Sequence, residues 1–404
     1  MMTDSSIPFD ETVSAYLHER VALNDFPSAV YLVAEQGRVM LADAIGDAVR
    51  QPQRHAVTIE TIYDLASLTK PLVTGLLLAL MSERGQVRLD DPVAHYLAEF
   101  SRDDKRDITI RQLATHTSGL PAWRQLAVLT EGERARACQV IAAQALDYAP
   151  GTRVIYSDLG FITLGWLLEK IAGAGLAEIA RREIFEPLQL RRTYFNPPAS
   201  IKSEMAASES DGNAYERGMC KGDVVAYTSP HWRTRPIWGE VHDGNAFFLG
   251  GAAGHAGLFS TAAEVLRLAE QLIANRSTLL APETCAMFRA NMTEGLNEAR
   301  SLGWQLAATK DSTAGAALAP DSFGHLGFTG TSCWIDAARE RIYILLTNRT
   351  HDHTLPFVNI NGVRRMFHTL ATDALVRSVP GAARDKRAMR SEGGIFDESG
   401  NTEH

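Results

Sequence analysis

The stretch that decides the fold covers residues 64–81 and reads DLASLTKPLVTGLLLALM. Beyond its first few positions it is almost entirely apolar, which is typical of a helix buried in a protein core. Pro71 is compatible with the first turn of such a helix, because the first N–H groups have no partner within it. The sequence therefore predicts a buried helix over 71–84 that begins beside Ser67 and Lys70.

Ser67 and Lys70 form the only S-x-x-K motif of the chain. Three residues along a helix bring two side chains onto one face. A serine hydroxyl becomes a nucleophile when a neighbour takes its proton, and a buried lysine loses much of its preference for the charged form and can be that neighbour. The motif alone supports equally well a helix cap at Ser67 and an extended surface lysine at Lys70.

A second motif is Tyr156-Ser157-Asp158, which lies between a Pro-Gly turn and a helix predicted over 160–172. The phenol of Tyr156 could pass a proton if a cationic lysine lowered its pKa. By itself the motif is explained as well by a buried tyrosine beside an N-cap aspartate.

A third motif covers residues 323–336, FGHLGFTGTSCWID, where His325 and Gly327 face the same side of a predicted strand. Glycine in a strand permits close approach of a ligand, and a strand edge supplies N–H donors to a developing oxyanion.

Together the three motifs resemble those of the serine β-lactamase and penicillin-binding-protein superfamily, S-x-x-K, Y/S-x-N and K-T-G. The most similar branch is that of the class C β-lactamases and the related family VIII carboxylesterases. The resemblance covers residues 10–375 and includes HTSGLP at 116–121 and LLTNR at 345–349.

The resemblance implies a role for each motif. Ser67 is the acylated nucleophile, Lys70 its proton partner, and Tyr156 the general base that later protonates the leaving group. The backbone N–H groups of Ser67 and Phe328 form the oxyanion hole. The substrate-binding residues are Asp158, His325, Gly327 and Phe328.

Two positions depart from the family pattern. His325 replaces the lysine of K-T-G, and a mostly neutral histidine holds a β-lactam carboxylate less firmly. Asp158 replaces an asparagine that donates a hydrogen bond, whereas an ionised carboxylate only accepts. Both changes favour ester or amide substrates that lack the penicillin carboxylate.

The order of predicted elements indicates an α/β (α+β) fold, and the resemblance implies that this fold is of the β-lactamase/transpeptidase type. Strands at 28–35 and 38–44 and again between 302 and 346 predict an antiparallel sheet built from both chain ends, with flanking helices and a helical insertion. We expect one hydrolase domain over 10–375, with the sheet from 10–66 and 250–375. Region 67–249 is mainly helices and loops, with long loops over 202–244. We also expect an amphipathic helix over 262–274 and a solvated loop at 351–353. The stretch 380–404 has the composition of a disordered tail.

The bulk composition excludes several functions. The net charge of −8 and the absence of clustered basic residues argue against a nucleic-acid partner. No signal peptide or membrane-length apolar run is seen, and four scattered cysteines fit a reducing compartment, so we expect a cytoplasmic protein without a membrane partner. The sequence leaves the oligomeric state open.

The run 239–260, GEVHDGNAFFLGGAAGHAGLFS, is rich in glycine and carries His242, Asp243, Asn245 and His255. No metal-binding spacing supports a metal site there, and we expect neither metal nor cofactor. The run resembles that of bacterial N-acetylmuramyl amidase-like proteins, which makes a muropeptide substrate plausible.

The sequence thus predicts a cofactor-free serine hydrolase that acts through an acyl-enzyme on a small-molecule ester or amide. One alternative is an amidase or D-amino-acid peptidase on peptidoglycan fragments. A non-catalytic penicillin-binding-like module is the other, and the intact Ser67, Lys70 and Tyr156 argue against it.

Overall fold

The computed structural model describes residues 8–102 and 104–377, and the predicted tail at 380–404 lies outside them. Within these ranges no single helix is both long and apolar enough to cross a membrane. One pair of consecutive helices, Asp158–Ala172 with Leu176–Phe185, passes the same criterion only when both are counted together, and the two are bent by 71°.

The strands that the structure describes form two sheets. They are β1 (Ser28–Glu35), β2 (Arg38–Val49), β3 (His55–Ala56), β4 (Tyr63–Asp64), β5 (Tyr194–Phe195), β6 (Leu258–Ser260), β7 (Gln305–Leu306), β8 (Phe323–Leu326), β9 (Ser332–Asp336) and β10 (Arg341–Thr347). The large sheet has the order β3-β2-β1-β10-β9-β8-β7, and β4-β6-β5 form a small one.

The large sheet is antiparallel and joins the two ends of the chain, which confirms the predicted architecture. Its centre is the pairing of β1 with β10, where Leu32 lies opposite Ile344. Gln36 and Gly37 form the hairpin turn between β1 and β2, both with positive φ, as the twist of a two-residue hairpin requires.

Most helices lie between the two halves of the sheet. They are α1 (Glu11–Ala22), α2 (Leu76–Glu83), α3 (Ile110–Ala114), α4 (Leu126–Leu129), α5 (Ala137–Ala143), α6 (Asp158–Ala172), α7 (Leu176–Ala180), α8 (Ala214–Met219), α9 (Val224–Tyr227), α10 (Gly244–Phe248), α11 (Ala262–Glu270), α12 (Pro282–Ala286) and α13 (Asn361–Arg377).

The two faces of the central strands are buried in different cores. Along β1, Val30 and Leu32 pack with α2, α6 and α11 in the larger core. Tyr31 and Val33 point the other way and pack with α1 and α13. The alternation follows from the period of two in a strand, and it makes β1 and β10 apolar on both faces.

Helices α1 and α13 come from opposite ends of the described chain and pack side by side. The guanidinium of Arg377 donates to the carboxylate of Asp10 at 2.8 Å. The residues at which the described structure begins and ends are therefore close together in space.

Several predicted bounds are corrected. The helix predicted over 71–84 begins as a π-helical turn, Lys70–Gly75, before α2, because Pro71 lacks the N–H that a regular α-helical ladder uses. The region 202–244, predicted as loops, contains α8 and α9. The strand predicted over 302–307 is reduced to Gln305–Leu306, and α11 ends at Glu270 rather than at 274.

The loop predicted to be solvated at 351–353 is also corrected at its first residue. His351 is fully buried, its Nε2 accepts from Arg50 N at 2.8 Å, and its Nδ1 contacts Ser208 O at 3.0 Å. The imidazole thus joins β2 to the loop before α8, which no local pattern in the sequence indicated.

Candidate active site

Ser67 lies on a tight 3-10 turn, Ala66–Leu68, at the entrance of the buried helix. The residue before it, Ala66, has a φ of 48°, a left-handed conformation that a residue with a Cβ rarely adopts. The buried Asp64 side chain holds this turn by accepting from Ala66 N at 2.8 Å and from His242 N at 2.6 Å. Ser67 therefore lies on a strained turn, and Asp64 ties this turn to the backbone at His242.

Lys70 is fully buried below Ser67, as the sequence predicts. Its Nζ donates to Ser67 Oγ at 2.9 Å and to His255 O at 3.0 Å, and it lies 2.7 Å from Asp158 Oδ1. The S-x-x-K pair is thus in direct contact, and Asp158 is the counter-ion of the lysine as well as part of the cleft wall.

The charge of Lys70 differs from the sequence-based expectation. Burial by itself would lower the pKa of the ammonium, but Asp158 and Tyr156 outweigh it, so the pKa of Lys70 is raised. The prediction of a lysine with a weakened preference for its charged form is therefore wrong for the free enzyme. The reason is the carboxylate at position 158, where the family pattern has an uncharged amide.

Tyr156 lies between three cationic or imidazole side chains. Its ring centroid is 4.9 Å from Lys70 Nζ, 4.4 Å from the His116 ring and 5.8 Å from the His325 ring. Burial raises the pKa of the phenol, and the neighbouring Lys70 opposes that rise without cancelling it. In the free enzyme the phenol therefore keeps its proton at neutral pH.

His116 supports the second motif from below. Its Nδ1 accepts from Ser157 N at 3.0 Å, and burial keeps its pKa well below the usual range, so the ring is neutral. This contact explains how the turn that carries Tyr156 is held.

The third motif is fastened to the nucleophile turn by two hydroxyl groups. Thr329 Oγ1 donates to Asp64 O at 2.8 Å, and Thr331 Oγ1 donates to Leu65 O at 3.0 Å. A Cβ at Gly327 would lie 2.0 Å from Thr331 Oγ1 and 2.5 Å from Leu65 O, so only glycine fits there. This close approach brings Phe328 into the same cleft as Ser67.

His325 lines the cleft with a neutral imidazole. Burial, with Lys70 and Arg300 next, keeps the pKa of its imidazole well below the usual range. Its Nδ1 is 2.9 Å from Leu326 O, so Nδ1 carries the single proton of the neutral ring and donates it to that carbonyl. Nε2 is then a bare acceptor, and it has no partner among the described residues.

The glycine-rich run 239–260 supports Lys70 from below. A Cβ at Gly254 would lie 2.0 Å from Phe161 O, and Gly254 packs directly on Gly165 of α6. This contact places the carbonyl of His255 on the lysine ammonium. The two histidines of the run bind carboxylates, since His242 Nε2 is 2.8 Å from Glu209 and His255 Nε2 is 2.8 Å from Asp243.

The cleft has a volume of about 500 Å³. Ser67, Tyr156 and the four predicted substrate-binding residues Asp158, His325, Gly327 and Phe328 line it, with Lys70 buried beneath. The structure adds cleft residues to which the sequence analysis gave no role: Trp123, Tyr215, Glu216, Arg300, Arg349 and Arg364. They come from loops and helices far apart in the chain, so no local spacing pattern could have grouped them.

Two of these residues are buried or half-buried arginines. Arg349 donates to Phe328 O at 2.8 Å and lies over the Phe328 ring at 5.0 Å. Arg364 donates to Asn361 Oδ1 at 2.9 Å and to Gly327 O at 3.3 Å, and burial lowers its pKa to about 9. Within residues 8–102 and 104–377, no carboxylate lies in ion-pair distance of either guanidinium.

Comparison with known proteins agrees with this geometry. The family model described as Beta-lactamase matches residues 13–361. The chain is 31% identical, over 81% of its length and 79% of the relative's, to a putative D-alanyl-D-alanine carboxypeptidase of Escherichia coli (strain K12). It is 30% identical, over 82% of its length and 79% of the relative's, to the N-acetylmuramyl-L-alanine amidase of Bacillus subtilis (strain 168).

Solved structures show the same fold at lower identity. A penicillin-binding protein homolog from Caulobacter crescentus superimposes with a TM-score of 0.70 at 20% identity, over 92% of this chain and all of that one. EstCE1, a hydrolase with promiscuous acyltransferase activity, gives 0.67 at 23% identity, over 90% and 97%. The chain belongs to the β-lactamase family and is a β-lactamase-related serine hydrolase.

Proposed function

We propose that the enzyme is an amidase of soluble peptidoglycan fragments, which forms an acyl-enzyme at Ser67 and releases an amino acid or peptide with a free carboxylate. The observation that carries this proposal is the pair of guanidiniums, Arg349 and Arg364, in the wall of the cleft that contains Ser67. A buried charge is costly without a counter-ion, so an anionic substrate group would supply what these two cations lack.

The proposed chemistry assigns one proton path. In the fraction of the enzyme whose Tyr156 has lost its proton, the phenolate, stabilised by the Lys70 ammonium, takes the proton of Ser67 as Oγ attacks the amide carbon, so activity rises with pH. Tyr156 then gives that proton to the leaving nitrogen as the C–N bond breaks. Backbone N–H groups of Ser67 and Phe328 stabilise the oxyanion. Water hydrolyses the ester of Ser67 along the same path, with Tyr156 as its base.

The two curated relatives support the choice of substrate class. One is named a putative carboxypeptidase for D-alanyl-D-alanine and the other an amidase for N-acetylmuramyl-L-alanine. In both substrates the amine product is an amino acid. The sequence suggested a preference for substrates without a carboxylate on the basis of His325 and Asp158, whereas Arg349 and Arg364 supply positive charge to the cleft from other elements.

The contact between Lys70 and Ser67 favours catalysis over a recognition module without chemistry. A fully buried ammonium 2.9 Å from a serine hydroxyl is in position to stabilise the charge that develops when that hydroxyl loses its proton. The four cysteines are free, which supports our proposal of a reducing, cytoplasmic compartment.

The proposal predicts a preference for a free carboxylate in the leaving group. We expect the wild type to cleave N-acetylmuramyl-L-alanine with a kcat/KM at least about tenfold above that for N-acetylmuramyl-L-alaninamide, because a hydrogen bond to a charged group contributes about 1.5–3 kcal/mol. Arg364→Met and Arg349→Met should each reduce this ratio, whereas Arg289→Met, outside the cleft, should keep it. An equal rate on both substrates in the wild type would overturn the proposal.

A further inference from the structure

Glu216 is a buried acid in the wall of the catalytic cleft that the reaction itself does not use. It lies on α8, is 6% exposed, and lines the cleft together with Tyr215. Its carboxyl packs on Gly244, where a Cβ would lie 2.2 Å from Oε2. The side chain is thus confined by the backbone to one position at the cleft surface.

Two acids close to Glu216 each have a basic partner, whereas no basic side chain among the described residues forms an ion pair with Glu216. Glu209 binds His242, and Asp243 binds His255. The guanidinium of Arg233, which acts electrostatically on Glu216, donates to Asn213 Oδ1 and to two backbone carbonyls. Within the described chain, the hydrogen-bond partner of the Glu216 carboxyl is Gly244 N, at 3.0 and 3.2 Å from its two oxygens.

The surroundings of Glu216 favour its neutral form. Burial, followed by the negative charge of Asp243, raises the pKa of its carboxyl well above the usual range. Glu209 acts in the same direction, and Gly244 N and Arg233 oppose it without cancelling it. A protonated carboxyl has one C=O and one O–H, and the Gly244 N–H satisfies the C=O. The O–H has no acceptor among the described residues.

We propose that Glu216 donates its O–H to an uncharged oxygen of the substrate, the hydroxyl or amide carbonyl oxygen of an amino-sugar. Trp123, Tyr215 and Phe328 line the same cleft and offer aromatic faces beside this donor. The cleft then has two regions of different chemistry, a cationic one at Arg349 and Arg364 and a neutral one at Glu216. The sugar identity rests on the proposed amidase function, whereas the neutral donor does not.

The first test compares substrates with and without the sugar. We expect Glu216→Leu to lower the ratio of kcat/KM for N-acetylmuramyl-L-alanine over that for phenyl acetate by at least about tenfold, the effect of a lost buried hydrogen bond. Glu216→Gln has an N–H donor of the same shape and should rescue most of this loss. Glu131→Leu, with a side chain 81% exposed, is the control and should keep the wild-type ratio. An unchanged ratio in Glu216→Leu would overturn the inference.

The test also separates the two proposals. If the wild type hydrolyses phenyl acetate but not the muramyl amide, the amidase function fails, and N-acetylmuramic acid is then used as a competitive inhibitor of phenyl acetate hydrolysis. The Glu216 subsite predicts inhibition that weakens in Glu216→Leu. Absence of inhibition, or equal inhibition of both proteins, would overturn it.

The second test measures the proton on Glu216 without any activity. The pKa of an unfolded glutamate has its ordinary value of 4.5, and that of Glu216 is higher in the folded protein. As pH rises above about 4.5, the unfolded chain loses this proton first, so wild-type stability should fall relative to Glu216→Gln. Denaturant midpoints from pH 4 to 8 give this difference. A wild type that gains stability relative to Glu216→Gln over this range would show an ionised Glu216 and overturn the inference, and this test stands if Glu216→Leu does not fold.

Discussion

At the scale of single residues, Asp158 has the largest effect on the chemistry of the site. Its position was visible in the sequence as a departure from the family pattern, but its partner was not. The carboxylate lies 2.7 Å from Lys70 Nζ and raises the pKa of both Lys70 and Tyr156. Sequence reasoning predicted the residues that meet at the site, and it mistook the charge of Lys70 because that charge depends on a contact in space.

This arrangement predicts a pH effect with a definite sign. Asp158→Asn removes the negative charge that raises both pKa values, so Lys70 and Tyr156 should lose their protons at lower pH. We expect the rising limb of kcat/KM for phenyl acetate to move to lower pH. Asp107→Asn, whose carboxylate is 89% exposed, is the control for a general loss of negative charge. A limb that stays in place or moves to higher pH would contradict the assigned proton path.

The identity of the nucleophile is tested most directly by labelling. A fluorophosphonate should form its adduct on Ser67, since this serine hydroxyl accepts from the Lys70 ammonium at 2.9 Å. Ser67→Ala should abolish the adduct, and Tyr156→Phe should slow its formation by about a hundredfold, the scale of lost general base catalysis. Ser118→Ala serves as the control variant. An adduct mapped by mass spectrometry to another serine would refute the assignment.

At the scale of elements, the glycine-rich run 239–260 shows what the sequence could not provide. Its composition indicated a special backbone, and its histidines suggested ligands. In the structure, Gly254 of this run packs against α6, and the His255 carbonyl accepts a hydrogen bond from Lys70. A glycine required by contact with a distant helix has the same local signal as a glycine in a loop, so only the packing distinguishes them.

A methyl group at position 254 should therefore push the glycine-rich run 239–260 away from α6. Gly254→Ala would place a Cβ 2.0 Å from Phe161 O, and overpacking of this kind costs about 1–3 kcal/mol of unfolding free energy. The esterase rate of the folded variant should also fall, because the His255 carbonyl moves away from Lys70. Gly362→Ala, where a Cβ meets nothing within 4 Å, should change neither. Thermal melts and esterase rates of both variants give the comparison, and wild-type behaviour of Gly254→Ala would show that the contact is not required.

At the scale of the whole molecule, the sequence predicted the sheet from both chain ends and the helical insertion, and the structure confirms them. Long apolar or alternating strands carry their own signal. Helix α1, with 12 residues, was missed because Val13 and Leu17 are its only buried apolar side chains, which is a weak helical pattern. The small sheet β4-β6-β5 and the short helices of 202–244 were missed because segments of two to six residues have too little periodicity. These short elements form much of the cleft wall, which is why the substrate side of the site was harder to predict than its nucleophile.

The larger core predicts cooperative unfolding. Ile344 of β10 and Leu164 of α6 belong to the same cluster, so the sheet and the helical insertion share one interior. We expect Ile344→Ala to cost about 2–5 kcal/mol and to shift the unfolding reported by Trp166 in α6 and by Trp334 in β9 equally. Val225→Ala, at a residue 71% exposed, is the control. Separate denaturant midpoints for the two tryptophans would contradict a shared core.

The contact of α1 with α13 has a consequence for where the polypeptide can begin and end. Because Asp10 and Arg377 are joined at 2.8 Å, a short linker between residues 10 and 377 would close the polypeptide into a ring without moving either helix. The ring can then be opened at the exposed stretch 221–223 between α8 and α9. Such a circular permutant would keep every strand pairing while its new termini emerge beside the cleft, where they would serve for attaching a reporter of substrate entry.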